Sequence, residues 1–251
     1  MATRRTAIVT GGNRGLGLEI ARQLLAHDVF VVIGARDPVK GADAVRSLGG
    51  ESADVATFVL DVNDTRSCQR FAEHVVKNHG APGILVNNAG VYPESTDAHV
   101  VDTPTSVWRE TFETNLFGAL RMCREIVPHM RKLRYGRIVN VSSGLTRVAF
   151  PGSAPYASMK GAVEVLTRYL AKELGPRGIA VNTVAPGAVE TDFSGGMVRD
   201  NPELNRRVAE MTALGRAGLP DDIGPMIASL LMDDNRWVNA QRIEVSGGML
   251  I

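Results

Sequence analysis

Two residues four apart raise a chemical question. In "SAPYASMKGAV", Tyr156 and Lys160 share one face of a helix that starts near Pro155, a residue suited to a first helical turn. A phenol has an ordinary pKa of about 10 and is a poor acid or base at neutral pH. A nearby ammonium favours the phenolate, and about 1.4 kcal/mol of such preference makes the phenol tenfold more acidic. Such a pair can exchange a proton with an alcohol or carbonyl near pH 7. On its own, Tyr-x-x-x-Lys is equally an ordinary surface pair.

A second stretch, "TGGNRGLG" (Thr10 to Gly17), follows the apolar run Ala7-Ile8-Val9 and opens an amphipathic segment. A strand, then glycines, then a helix N-terminus directs free backbone N–H groups and the positive end of the helix dipole at a phosphate. The spacing Gly11-x-x-x-Gly15-x-Gly17 departs from GxGxxG, and tight strand–helix packing alone would also ask for glycine. Its place at the first turn of a βαβ unit points to a dinucleotide. At the end of the second strand an acid binds the adenosine ribose 2′-OH, whereas a base accommodates a 2′-phosphate. "IGARD" puts Ala35 and Arg36 there, and Arg14 adds a second cation, so NADP(H) is expected over NAD(H). A register shift of one residue, to Asp37, would reverse that preference.

Short β-branched runs alternate with amphipathic stretches along all 251 residues. Residues 7–10, 29–34, 57–62, 84–90, 136–142, 179–187 and 242–248 read as seven strands, most of them apolar on both faces, as in a parallel sheet covered by helices. "LGLEIARQLLAHD", "DTRSCQRFAEHVVKNHG", "VWRETFETNLFGALRMCREIVPHMRK" and "APYASMKGAVEVLTRYLAKELGPRG" space their apolar residues as helices do. The expected fold is α/β: a single-domain, doubly wound Rossmann fold over residues 1–251, with a seven-stranded parallel sheet and helices on both faces. Residues 191–219 break the alternation with Gly, Pro and charge, as a mobile substrate loop would.

Composition narrows the function. Twenty-eight basic against 27 acidic residues give a net charge of +1, with no block of like charge for a polyanion or an anionic membrane. No signal-peptide core and no membrane-length apolar run is visible. Cys68 and Cys123 lack metal-ligand spacing and read as buried thiols in a reducing, cytoplasmic setting; no metal is expected.

Taken together, "TGGNRGLG", "LDV" (60–62), "NNAG" (87–90), "TNLFGAL" (114–120), "VNVSS" (139–143), "YASMK" (156–160), "PGAVET" (186–191) and the closing "IEVSGG" make the chain resemble the short-chain dehydrogenase/reductase family over nearly its whole length. The resemblance implies hydride transfer between NAD(P) and an alcohol/carbonyl pair. Its Asn-Ser-Tyr-Lys tetrad falls on Asn115, Ser143, Tyr156 and Lys160; Ser143 is preferred to Ser142 because the family's serine lies thirteen residues before the tyrosine. By the same resemblance Tyr156 exchanges the proton and Ser143 orients the substrate oxygen. Lys160 binds the nicotinamide ribose and depresses the tyrosine pKa, and Asn115 holds a water linking that lysine to solvent. Cofactor contacts are expected at Gly11, Asn13, Arg14, Gly15, Leu16, Gly17, Arg36, Asp61, Val62, Asn88, Ala89, Gly90, Tyr156, Lys160, Pro186, Gly187, Val189 and Thr191. Asp61 is the candidate adenine partner, with a turn role as the alternative, and Thr191 the candidate carboxamide contact.

"GGNRGLG…GARD" resembles NADPH-dependent carbonyl reductases and "IEVSGGML" the 3-oxoacyl-carrier-protein reductases. A non-catalytic NADP(H)-sensing regulator would keep the glycine turn without needing the tetrad. The compact length resembles tetrameric members, with the helices around 104–133 and 155–175 pairing across a two-fold axis in a homotetramer or dimer. The small-molecule substrate is expected against residues 91–96, 145–153 and 187–216. There Val91, Tyr92, Leu145, Val148, Phe150, Phe193 and Met197 favour an apolar ketone or aldehyde. Arg147, Arg199, Arg206 and Arg207 read as solvated surface, with an anionic substrate or acidic carrier as the alternative.

Overall fold

A computed structural model describes residues 4–50, 53–93 and 99–251. The strands are β1 (Thr6–Thr10), β2 (Phe30–Ala35), β3 (Val55–Val59), β4 (Ile84–Asn87), β5 (Gly136–Val141), β6 (Ile179–Pro186) and β7 (Arg242–Val245). All pair in parallel, in the order β3-β2-β1-β4-β5-β6-β7. Their alternation fills two cores. Ala7, Val9, Ile33 and Val86 face one, and Ile8, Val32 and Leu85 the other.

The helices are α1 (Gly15–Ala26), α2 (Pro38–Ser47), α3 (Thr65–His79), α4 (Thr105–Phe112), α5 (Gly118–Leu133), α6 (Ala154–Leu174), α7 (Met197–Asp200), α8 (Pro202–Met211) and α9 (Pro220–Leu231). Ile20 and Leu24 of α1 pack with Ala44 of α2 and Ile227 of α9 on the first face. Phe71 of α3, Met122 and Ile126 of α5, and Leu174 of α6 fill the second. Burying each large side chain contributes about 1.5–3 kcal/mol, so two continuous cores hold the sheet from both sides.

Several elements differ from the sequence expectation. The third strand ends at Val59 rather than 62, because Asp61 turns the chain: its carboxylate accepts from Asn63 N at 2.9 Å while its amide donates to Ser67 Oγ at 3.0 Å. α2 and α9 carry weak signals, α2 being short and polar and α9 containing Gly224 and Pro225; both are started by capping aspartates, Asp37 and Asp222. The stretch read as one helix around 104–133 is α4 and α5 joined by a π-helical turn at Glu113–Phe117.

Candidate active site

Between β1 and β4 the strand order reverses, and the turns that follow those strands lie at the crevice where open α/β sheets bind ligands. Thr10 fastens the two turns together: its Oγ1 accepts from Asn88 N at 3.0 Å and Ala89 N at 2.9 Å, and Asn88 Nδ2 donates to Thr10 O at 3.0 Å and Gly11 O at 3.2 Å. A Cβ on Gly17 would lie 2.4 Å from Gly11 O and 2.5 Å from Asn88 Nδ2, so only glycine lets the first turn of α1 approach this closely. Gly15, at φ +50°, sits in the left-handed region just inside the helix start. Arg14 is the N-cap residue and caps nothing with its side chain, which leaves the N–H groups of that turn available to an anion.

A cavity of about 640 Å³ runs from this turn across the C-terminal ends of the strands. Gly11, Asn13, Arg14, Gly15, Leu16, Gly17, Arg36, Asp61, Val62, Asn88, Ala89, Gly90, Ser143, Tyr156, Lys160, Pro186, Gly187, Val189 and Thr191 all line it; Asn115 does not. Arg14, Arg36 and Lys40 all line it, and none of the three pairs with a carboxylate among the described residues. Asp37 is committed elsewhere: its Oδ1 caps α2, accepting from Val39 N at 2.9 Å and Lys40 N at 3.3 Å. Three such cations beside an uncapped helix start fit a phosphorylated dinucleotide in size and charge.

At the other end Tyr156 is buried, 6% exposed. Burial raises its pKa well above the ordinary phenol value; the neighbouring Tyr92 adds to this, and a hydrogen bond with the Ser143 side chain opposes it. Burial lowers Lys160 to about 8. Its Nζ lies 5.4 Å from the centroid of the Tyr156 ring and donates to Val141 O at 2.7 Å. Burial dominates the phenol in this arrangement, opposite in direction to the depression that the resemblance implies. Ser143 Oγ also accepts from Leu145 N at 3.2 Å, whereas Ser142 Oγ donates to Glu164 Oε1 at 2.7 Å and is spent there.

Asn115 lies in the π-helical turn and is buried. Its carboxamide accepts from Val91 N at 3.1 Å and donates to Val91 O at 3.0 Å and Thr111 O at 2.8 Å, pinning the segment after β4. These bonds use both of its N–H donors, so a further partner of this side chain would have to donate to Oδ1.

The substrate end is apolar. Tyr92, Leu145, Val148, Phe150, Phe193 and Met197 line it as expected. The Tyr92 and Tyr156 ring centroids are 5.0 Å apart, and Phe193 lies 6.0 Å from Tyr156 and 6.3 Å from Tyr92. Residues 94–96 of the expected lining lie outside the described residues. Arg147, Arg199, Arg206 and Arg207 sit outside the cavity wall, each near an acid (Glu244, Asp192 and Asp200, Glu210, Glu203). The segment 191–219 holds α7 and α8, whose Met197, Leu204, Val208 and Met211 close the cavity.

Buried polar residues outside the motifs steady these parts. Asn87 Nδ2 donates to Asn140 Oδ1 at 2.8 Å, Asn140 Nδ2 to Thr167 Oγ1 at 2.9 Å, and Thr183 Oγ1 to the same Thr167 oxygen at 2.9 Å, tying α6 to β4, β5 and β6. An asparagine or threonine at an otherwise apolar strand or helix position is the signal that could have found them. Among the described residues no group of three or more His, Cys, Asp or Glu could hold a metal, and no helix is long and apolar enough to cross a membrane.

Comparison with known proteins agrees with this geometry. A family model described as enoyl-(acyl carrier protein) reductase matches residues 11–250. The 3-oxoacyl-acyl-carrier-protein reductase FabG of Pseudomonas aeruginosa is 35% identical over 247 residues, spanning 98% of this chain and 97% of that protein. A short-chain type dehydrogenase/reductase from Mycobacterium ulcerans superimposes with a TM-score of 0.91 at 29% identity, over 98% of this chain and 90% of that one. The NADP-bound structure of ElxO does so with a TM-score of 0.90 at 28% identity, over 98% of both chains. The chain thus belongs to the short-chain dehydrogenase/reductase family and is an oxidoreductase acting on CH–OH and carbonyl groups.

Proposed function

We propose that the chain is an NADP(H)-dependent reductase of uncharged ketones or aldehydes with apolar substituents. One observation carries this reading: the hydroxyls of Ser143 and Tyr156 line a single cavity that is also lined by the cations Arg14, Arg36 and Lys40 and by mostly apolar and aromatic side chains, with Asp192 among them and paired to Arg199. Arg14, Arg36 and Lys40 would hold the 2′-phosphate, the first turn of α1 the pyrophosphate, and Lys160 the nicotinamide ribose. When bound, the nicotinamide supplies hydride to the carbonyl carbon or accepts it from the alcohol carbon. Tyr156, kept protonated by burial, gives its proton to the carbonyl oxygen, and the phenolate left behind is stabilised by the Lys160 ammonium. Ser143 donates its one hydroxyl proton to the substrate carbonyl oxygen and fixes its direction.

The same reading takes residues 1–251 as one domain, with residues 191–219 closing over substrate. It also assigns the outer face of α5 and α6, where Val165 is 44% and Tyr169 66% exposed, to a dimer or tetramer contact. A second reading, reduction of a 3-oxoacyl group on a carrier protein, draws support from the FabG relative. Against it, Arg147, Arg199, Arg206 and Arg207, which an acidic carrier could have met, each lie near a carboxylate. A regulator that only senses NADP(H) would have no use for a phenol and a serine hydroxyl at the cavity wall.

Following NADPH absorbance with aryl ketones, β-keto esters and acyl thioesters tests the proposal. Turnover of the uncharged ketones is expected. Turnover of acyl thioesters alone would favour the carrier reading, and binding of NADPH without turnover of any carbonyl would favour the regulator.

A further inference from the structure

A charged cluster joins three separate pieces of chain at Ser143. Glu164 lies on α6, about two turns beyond Tyr156. Its single oxygen Oε1 accepts from Ser142 Oγ at 2.7 Å, Arg242 Nε at 2.8 Å and Thr146 Oγ1 at 2.9 Å. Arg242 opens β7 and donates to Glu244 Oε2 at 2.9 Å, Thr146 Oγ1 at 3.0 Å and the Ser143 carbonyl at 3.4 Å. Ser246 Oγ adds a bond to Glu244 Oε1 at 3.0 Å, and Arg147 lies 3.7 Å from Glu244.

The arrangement differs from a surface ion pair in two ways. The Arg242 and Glu164 side chains are only 14% and 18% exposed, so removing one would leave the other charge largely desolvated. Every partner on the serine side flanks Ser143: the residue before it, its own carbonyl, and the threonine three residues after it. Glu164 is carried by the helix that carries Tyr156. The carboxylate therefore ties the helix that carries Tyr156 to Ser142 and Thr146, which flank Ser143, and both Ser143 and Tyr156 line the same cavity.

We propose that Glu164 and Arg242 are positioning residues that set the Ser143 hydroxyl against the Tyr156 phenol. The inference rests on the reading of Ser143 and Tyr156 as the reacting pair. Loss of either charge would let the 142–146 segment relax, move the Ser143 hydroxyl relative to the Tyr156 phenol and weaken the stabilisation of a phenolate in the free enzyme. Tyr92, Phe193 and Lys160, the other groups around Tyr156, would stay in place.

Glu164→Gln, Arg242→Met and Arg242→Lys test this through kcat, KM, NADPH affinity by fluorescence, and amide hydrogen exchange of residues 142–150 against β6. The Gln and Met variants are expected to lose about 10-fold in kcat at an NADPH affinity within about two-fold of wild type. The alkaline limb of their pH–rate profile should move up, exchange should speed in 142–150 but not in β6, and Lys should recover part of the loss. Unchanged kcat, pH profile and exchange would overturn the proposal, as would an exchange increase spread equally over β6. If the charge variants do not fold, Ser142→Ala and Thr146→Val remove the serine-side bonds without stranding a charge and are expected to give the same loss. A wild type that reduces no carbonyl would refute the proposed function instead, and the exchange contrast would still decide whether the cluster holds the segment.

Discussion

Lys160 reaches past the face of Tyr156, its Nζ 5.4 Å from the ring centroid, to donate to the Val141 carbonyl at 2.7 Å. Burial lowers this lysine from 10.5 to about 8, so the folded chain binds fewer protons than the unfolded chain between those values. The burial cost is fully present below pH 8 and lifts as pH rises toward 10.5. Stability at pH 9.5 is thus expected to exceed that at pH 7 by up to about 2 kcal/mol from this group. Lys160→Met should flatten that slope in urea titrations. An unchanged slope would mean the ammonium is solvated. Tyr156, shifted upward, contributes with opposite sign only above the ordinary phenol range.

Arg36 faces the cavity while Asp37 is turned into the start of α2. Arg36→Asp is expected to weaken NADPH binding by about 100-fold, the worth of a charge-assisted contact, and NADH binding by only a few-fold. Calorimetric titration of both dinucleotides checks this, and equal losses would place the 2′-phosphate elsewhere.

Gly17 has no room for a methyl group, since the atoms it would meet include the backbone oxygen of Gly11 at 2.4 Å. Gly17→Ala should cost about 1–3 kcal/mol, or roughly 3–10 °C in Tm, and weaken dinucleotide binding with it. At Gly161, within α6, nothing lies within 4 Å of an added Cβ. Gly161→Ala should leave Tm unchanged or raise it slightly. Differential scanning fluorimetry distinguishes the two.

Phe193 stands 6.0 Å from Tyr156 and is 38% exposed, so it walls the substrate end without anchoring the core. Phe193→Ala is expected to raise KM for an aryl ketone by about 10-fold with little change in kcat, as loss of an apolar contact made equally by substrate and transition state. A kcat loss at constant KM would instead give the ring a part in the chemistry.

The sheet was legible in the chain because β-branched runs buried on both faces leave a strong signal. α2 and α9 were not: one is polar and short, the other interrupted by glycine and proline, and each depends on a capping aspartate and on packing against its neighbours. The glycine turn, Ser143, Tyr156 and Lys160 stand out because fixed short spacings carry them. Asn115 stands out too, but not the π-helical turn that aims it at Val91, since one extra residue in a helix barely disturbs its apolar period. Glu164 and Arg242 were invisible, being joined across 78 residues by hydrogen bonds that only the fold brings about.

The most direct test is single-turnover hydride transfer in Tyr156→Phe, which removes the phenol oxygen and keeps the ring against Tyr92. With the protein saturated with NADPH and a ketone that the wild type reduces, the rate is expected to fall by about 10³-fold while NADPH affinity stays within about two-fold. A rate within about tenfold of wild type would contradict the assignment of Tyr156 as proton donor.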